Sequence, residues 1–130
     1  MKYRVYISYS AKDSLLAEDL KRRLTDVGVE YAITKKATRA ESVDTDYVQR
    51  RIREAINKSS EVIVLLTDNS VKNKWVLYEV GMADALERPV TFVMVNEGLE
   101  RQLPIVGNHF IRYSDLPGYL SSLKKRSKAA

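Results

Sequence analysis

Residues 62–95, which read VIVLLTDNSVKNKWVLYEVGMADALERPVTFVMV, decide the fold of this chain. The two ends of the stretch, Val62–Leu66 and Val90–Val95, are short and nearly continuous apolar runs. Such runs are typical of strands covered on both faces, as in a parallel sheet. Apolar residues between them repeat at helical spacing, and Pro89 ends that helix because proline cannot continue it. These helical positions are Val76, Val80 and Ala83. The stretch therefore predicts a strand–helix–strand unit.

The rest of the chain repeats this alternation. Further strand-like runs are Arg4–Tyr9, Val29–Ile33 and His109–Tyr113. Helical stripes are Leu16, Leu20, Leu24 and Val27 before Gly28; Val48, Ile52, Ala55 and Ile56 after the capping pair Asp44-Thr45; and Tyr119, Leu120 and Leu123 after Asp115 and Pro117. Strands that alternate with helices imply right-handed crossovers. The sequence predicts an α/β fold, a flavodoxin-like doubly wound sheet of five parallel strands in the order 2-1-3-4-5, flanked by helices.

Composition limits the classes of protein to which the chain can belong. Its 130 residues suit one domain, predicted over residues 1–123, with a basic tail over 124–130 that we expect to fray. The chain has no cysteine and one histidine, which excludes disulfide scaffolds and makes a conventional zinc site a poor fit. The sequence shows no secretory signal and no apolar run of roughly 20 residues, so we expect a cytoplasmic protein without a membrane partner. The net charge of +5 favours anionic ligands, but the basic residues are too scattered to indicate nucleic-acid binding.

The predicted topology places a ligand site at the carboxyl ends of the strands, where the winding direction reverses. The loop after the first strand holds Tyr9 and Ser10, and the segment Thr34–Asp46 after the second strand can fold over the same edge. Asp68 follows the third strand, where a receiver domain has its phosphoacceptor. Receiver chemistry also needs paired acids after the first strand, and Ser8-Tyr9-Ser10 provides none. The glycines form no phosphate-binding motif.

Glu79 is the most unusual residue of the third predicted helix, because its neighbours on the helical wheel are apolar. Burial of an unpaired carboxylate costs several kcal/mol, by rough estimate, unless a partner or ligand needs the charge. Trp75 lies one turn earlier and could offer an aromatic face to a flat ring. Two structural interpretations stay open: Glu79 pairs with an arginine or a neighbouring loop, and Trp75 is a core residue.

The order of these segments resembles the TIR (Toll/interleukin-1 receptor) domain family over nearly the whole chain. The matching pieces are Val5–Ser10 (VYISYS) with Lys12-Asp13, Leu16–Gly28 with Val29–Ile33, Ser60–Ser70 (SEVIVLLTDNS), Lys74–Glu79 (KWVLYE, a W-x-x-x-E motif) and Ala83–Val95. The loop after the second strand departs from the family, because residues 34–39 (TKKATR) lack both the usual acid and a Pro-Gly pair. That departure argues against a receptor-type signalling module.

The resemblance implies a bacterial-type, Thoeris-like catalytic member that cleaves NAD⁺ between nicotinamide and ribose and, in some members, cyclises the ADP-ribose product. It places the catalytic glutamate at Glu79 and a base-stacking aromatic at Trp75. It also implies that Tyr9 and Ser10 contact the nucleotide. The loop beginning Thr34-Lys35 would complete the pocket, and its positive charge at Lys35, Lys36 and Arg39 would attract the pyrophosphate. The resemblance implies no metal and no cofactor, with NAD⁺ as the substrate.

The same resemblance implies that copies of the chain associate, and that the enzyme acts in antiphage defence or NAD signalling. Two other functions stay open. One is a non-catalytic TIR module that acts by homotypic association. The other is a nucleoside deoxyribosyltransferase-like enzyme, which shares the sheet and a catalytic glutamate.

Overall fold

A computed structural model of the chain describes residues 2–35, 45–103 and 109–130. The strands are β1 (Arg4–Ser8), β2 (Glu30–Ala32), β3 (Glu61–Leu66), β4 (Val90–Met94) and β5 (His109–Arg112). The α-helices within the described residues are α1 (Ser14–Asp26), α2 (Thr45–Asn57), α3 (Lys74–Ala85) and α4 (Leu116–Ala129). The predicted residues Lys36, Arg39 and Asp44 lie outside the described residues.

The strands form one sheet in the order β2-β1-β3-β4-β5, and every neighbouring pair is parallel. This confirms the predicted flavodoxin-like doubly wound topology. Val5 of β1 lies opposite both Tyr31 of β2 and Glu61 of β3, which fixes the register at the centre of the sheet. All of β3 is buried, as expected for a central strand covered on both faces.

Alternate residues of β1 point to opposite faces of the sheet, and each face has its own core. Val5 and Ile7 pack with buried residues of α1 and α4. Tyr6 packs with buried residues of α2 and α3. The face that carries Tyr6 therefore meets α3, the helix that holds Glu79.

Helix ends follow the local sequence signals. Gly28 has φ +76°, in the left-handed region where glycine is unstrained, and follows the last turn of α1. Pro117 lies in the first turn of α4, after Asp115 at the N-cap position. A short 3₁₀ helix over Leu99–Gln102 follows β4. Across the described stretches of the chain, no helix is both long and apolar enough to span a membrane.

The C-terminal residues differ from the prediction. The sequence predicts a fraying basic tail from Lys124, but the structure continues α4 to Ala129. The reason is an anchor at Arg126, whose guanidinium contacts both oxygens of the buried Glu61 at 3.1 Å. Tyr119 of the same helix donates to Glu61 at 2.6 Å, and Tyr3 also donates to it. A helix tied to the sheet in this way does not end at residue 123.

Candidate functional site

Glu79 lies on the buried side of α3, together with Val76, Val80 and Ala83. The helix begins after Asn73, whose side-chain oxygen accepts from the backbone amides of Trp75 (2.9 Å) and Val76 (3.1 Å). Such an N-cap satisfies amides that have no partner within the helix. The predicted position of Glu79 within an apolar face of the helix is confirmed.

The Glu79 carboxylate is fully buried, with 0% of the residue exposed. The Tyr6 hydroxyl donates to its Oε2 atom, and the Ser8 hydroxyl donates to Oε1 at 2.9 Å. Tyr6 and Ser8 are alternate residues of β1, so both point toward α3. The strand thus holds both carboxylate oxygens from one side.

Tyr6 has further partners on the loop after β2. The Thr34 side chain and backbone both hydrogen-bond to the phenol and stabilise its ionised form. Burial nevertheless raises the pKa of Tyr6 far above its usual value, and the negative charge of Glu79 and the hydrogen bond to it raise it further. Tyr6 therefore stays protonated and remains a donor to Glu79.

A small cavity lies at the carboxyl edge of the sheet, and two residues of its wall, Tyr9 and Ile33, pack against the α1–α4 core rather than against α3. Its volume is about 200 Å³, and it is lined by Tyr9, Ala11, Ser14, Ile33, Thr34 and Lys35. Three of the predicted substrate-binding residues, Tyr9, Thr34 and Lys35, thus lie together. Thr34 is 6% exposed and contacts both this cavity and Tyr6, so it joins the cavity to the Glu79 cluster.

Ser10 and Trp75 do not line this cavity. Ser10 is buried, and its hydroxyl accepts from the Lys12 amide at 3.3 Å, which caps a 3₁₀ turn. Trp75 is partly buried against the α2–α3 side of the core, and its ring meets that of Tyr78 edge-on with centroids 6.0 Å apart. In this arrangement Trp75 serves packing rather than the cavity.

The loops after β1 and β3 are joined at the same edge, as the topology predicts. Asp13 is nearly buried and accepts from the Thr67 hydroxyl at 2.6 Å and from the Asn69 amide at 2.9 Å. Asp68, at the phosphoacceptor position, is exposed. Within residues 2–35, 45–103 and 109–130, no cluster of three or more His, Cys, Asp and Glu side chains could hold a metal ion.

Sequence reasoning missed Tyr6 and Ser8. Alternation along β1 could have indicated that they share a face, because Val5 and Ile7, which precede them, occupy the other face. The residues that they contact could not be found without the packing of β1 against α3. Both bonds link residues more than 70 positions apart.

Comparison with protein-family models matches residues 5–125 to the TIR domain. The chain belongs to the TIR domain family. This confirms the family that the sequence resembles, and it leaves the catalytic subtype open. No match was found among curated proteins.

Solved structures show the same fold as this TIR domain. The TIR domain of the Toll-related receptor TRR-2 from Hydra magnipapillata has a TM-score of 0.64 at 16% identity, covering 98% of this chain and 99% of that one. The CMP N-glycosidase BcmB from Clostridium botulinum has a TM-score of 0.61 at 22% identity, covering 92% and 97%. A 2-desoxiribosyltransferase from Leishmania mexicana has a TM-score of 0.56 at 14% identity, covering 72% and 65%. At these identities the likeness concerns the fold alone.

Proposed function

We propose that this TIR domain is an NAD⁺ nucleosidase or ADP-ribose cyclase that cleaves the nicotinamide–ribose bond, with Glu79 as the catalytic residue. The observation that supports it is one buried carboxylate held by Tyr6 and Ser8 of β1, with Tyr6 bonded in turn to Thr34, which lines a cavity at the carboxyl edge of the sheet. The family includes enzymes that cleave NAD⁺, which places the chemistry within its range. We further propose a role in defence or NAD signalling in the cytoplasm.

The reaction suits a single carboxylate. Nicotinamide leaves as a neutral ring with the electron pair of the C1′–N bond, and positive charge develops on the ribose. A carboxylate near the ribose stabilises that charge, as in other glycosyl transfers. Water captures C1′ and loses a proton to give linear ADP-ribose, whereas capture by a nucleophilic atom elsewhere in the same ADP-ribosyl group, again with loss of a proton, gives a cyclic product. The leaving group needs no protonation, so the proposal includes no metal ion.

The cavity is too small to hold the whole substrate. Its volume of about 200 Å³ is below the roughly 300 Å³ at which small-molecule sites usually begin. It has room for one flat ring, and Tyr9 and Lys35 at its wall offer an aromatic surface and a positive charge. The remaining contacts must come from other parts of the chain or from a second copy. This supports our proposal that the enzyme is active as a self-associated form.

Glu79→Gln tests the assignment, because it keeps the shape of the side chain and removes its charge. We expect loss of nicotinamide release from NAD⁺ by concentrated protein, measured by mass spectrometry, with an unchanged circular dichroism spectrum. Glu54→Gln, at an exposed position of α2, is the matched control and should retain full activity. Equal turnover by Glu79→Gln and the wild type would refute the role of Glu79.

A second candidate function is a non-catalytic module that associates with other TIR domains. The full burial of Glu79 favours it, since a buried carboxylate held by Tyr6 and Ser8 can serve packing alone. A module of this kind would associate on concentration and release no nicotinamide. The same assay with deoxynucleosides and with CMP separates both functions from those of the transferase and the N-glycosidase that share the fold.

A further inference from the structure

The arrangement of Glu79 in this structure is incompatible with direct attack on a substrate. The residue has no exposed surface, and hydroxyl donors from β1 occupy both carboxylate oxygens. Glu79 is also absent from the wall of the cavity that Thr34 lines, so a ribose in that cavity would not contact either oxygen in this arrangement. Catalysis by Glu79 therefore requires a step that releases the carboxylate.

Tyr6 is the residue through which such a release can be controlled. Its hydroxyl donates to Glu79 on one side, and it is bonded to the side chain and backbone of Thr34 on the other. Thr34 lines the cavity and is followed by Lys35, which is exposed. A movement of Thr34 thus changes the bonding of the phenol, and the phenol is bonded directly to Glu79.

We propose that Tyr6 is a positioning residue that keeps Glu79 withdrawn, and that displacement of Thr34 by a ligand or by a second copy of the chain releases it. The catalytic consequence rests on the proposed function, whereas the coupling of Thr34, Tyr6 and Glu79 does not. The coupling works by displacement rather than by titration. Burial keeps the pKa of Tyr6 far above neutral pH, so the phenol does not lose its proton under ordinary conditions.

Tyr6→Phe removes one hydroxyl and keeps the ring, and Tyr119→Phe is its matched control. Tyr119 is also a buried tyrosine that donates to a buried carboxylate, but its partner is Glu61 at the opposite edge of the sheet. Both substitutions remove a hydrogen bond to a buried carboxylate, so both should lower the melting temperature to a similar extent. The variants differ in which carboxylate loses a donor: Ser8 still bonds to Glu79 in Tyr6→Phe, whereas Tyr3 and Arg126 still bond to Glu61 in Tyr119→Phe.

The first measurement does not depend on activity. A water-soluble carbodiimide with an amine nucleophile labels accessible carboxylates, and peptide mass spectrometry reports the labelling of Glu79. Loss of one hydrogen bond should raise the population of released Glu79, and hence its labelling rate, about fivefold in Tyr6→Phe. In Tyr119→Phe, Glu79 should be labelled as slowly as it is in the wild type. Equal protection of Glu79 in all three proteins would overturn the proposal.

The second measurement is nicotinamide release by dilute protein. Tyr6→Phe should be more active than the wild type although it is less stable, and addition of Glu79→Gln should abolish that gain. A merely structural role of Tyr6 would lower stability and activity together, and this outcome would overturn the proposal. If labelling rises while no variant cleaves NAD⁺ at any concentration, the coupling stands and the proposed enzymatic function fails.

A double-mutant cycle tests whether Thr34 acts through Tyr6. Thr34→Val removes the side-chain hydrogen bond to the phenol and should increase the labelling of Glu79 by less than Tyr6→Phe does. In the Tyr6→Phe background it should add nothing, because the phenol is already absent. Additive effects of the two substitutions would show that Thr34 affects Glu79 by a route other than Tyr6, and would overturn the coupling through Tyr6.

Discussion

At the scale of single residues, tyrosine–carboxylate pairs recur in this domain. Tyr6 donates to Glu79, Tyr119 to Glu61 and Tyr113 to Asp19. In each pair burial raises the pKa of the phenol first, and the bonded carboxylate raises it further. The phenols therefore remain protonated at neutral pH and hold the carboxylates in defined positions.

Tyr113 offers a test of this behaviour, because its pKa is raised to about 12 from an ordinary value of 10.0. A pKa that is higher in the folded state stabilises the fold below pH 10 and ceases to do so as the pH rises through about 12. Wild type should therefore exceed Tyr113→Phe in free energy of unfolding below pH 10, and the difference should shrink toward pH 12. Urea unfolding across that interval measures it. A constant difference would contradict the assigned shift.

The candidate site was only partly predictable from the sequence at this scale. Glu79 stands out among apolar neighbours because helical spacing is a local property that one segment reveals. The donors to Glu79 are not local, since Tyr6 and Ser8 belong to a strand more than 70 residues away. Trp75 lies one turn from Glu79 and its ring meets that of Tyr78 edge-on, so its stacking on a ligand stays a prediction.

At the scale of elements, α4 is held against the sheet by hydrogen bonds from its side chains to Glu61 of β3. Tyr119 in its first half and Arg126 in its second half both bond to Glu61 at the start of β3. Hydrogen bonding to Glu61 raises the pKa of Arg126, so the guanidinium is charged at every accessible pH. The basic residues at this end of the chain thus have different roles, which composition alone does not distinguish.

Arg126→Met tests the anchor, since methionine keeps an apolar stem and removes the charge. Its loss leaves Glu61 buried with one strong partner fewer. We expect a decrease of about 1–2 kcal/mol in the free energy of unfolding, because the Arg126 side chain is 44% exposed and its ion pair is partly screened. Lys125→Met, at an exposed position of the same helix, is the control and should change stability little. Equal losses in both variants would contradict the anchoring role.

The strands were predicted to within one residue at each end, and the differences have a physical cause. The β3 run is continuous and buried, which makes its pattern unambiguous. By contrast, β2 spans only Glu30–Ala32, and two of its residues are exposed. The apolar residues Val29 and Ile33 flank it and pack against the core without belonging to the strand. The apolar residues therefore predicted the extent of the buried segment, 29–33, rather than the shorter part that forms hydrogen bonds in the sheet.

At the scale of the whole molecule, the doubly wound topology brings separate segments to one edge. The loops after β1 and β3 meet through Asp13, Thr67 and Asn69, and the end of β2 supplies Thr34. The sequence was sufficient to predict this edge, because the carboxyl ends of parallel strands must coincide. The size of the cavity depends on side-chain packing and was not predictable.

The proposed completion of the site by a second copy makes a prediction about concentration. While monomer dominates, nicotinamide release per mole of protein should rise in proportion to protein concentration and level off once the protein is associated. Sedimentation velocity at the same concentrations gives the associated fraction for comparison. A specific activity that stays constant while association changes would show that one copy is sufficient.

The outer strands of the sheet, β2 and β5, limit how copies of the chain can associate. The outer strands have only three and four residues, and both carry charged side chains. Glu30 on β2 is paired with Lys2 at 3.0 Å and Arg4 at 3.7 Å, and Arg112 on β5 is paired with Glu97 at 2.8 Å. Short, charged outer strands resist pairing with a foreign backbone. Crowding this protein should therefore produce finite, reversible clusters rather than fibres built by endless strand addition.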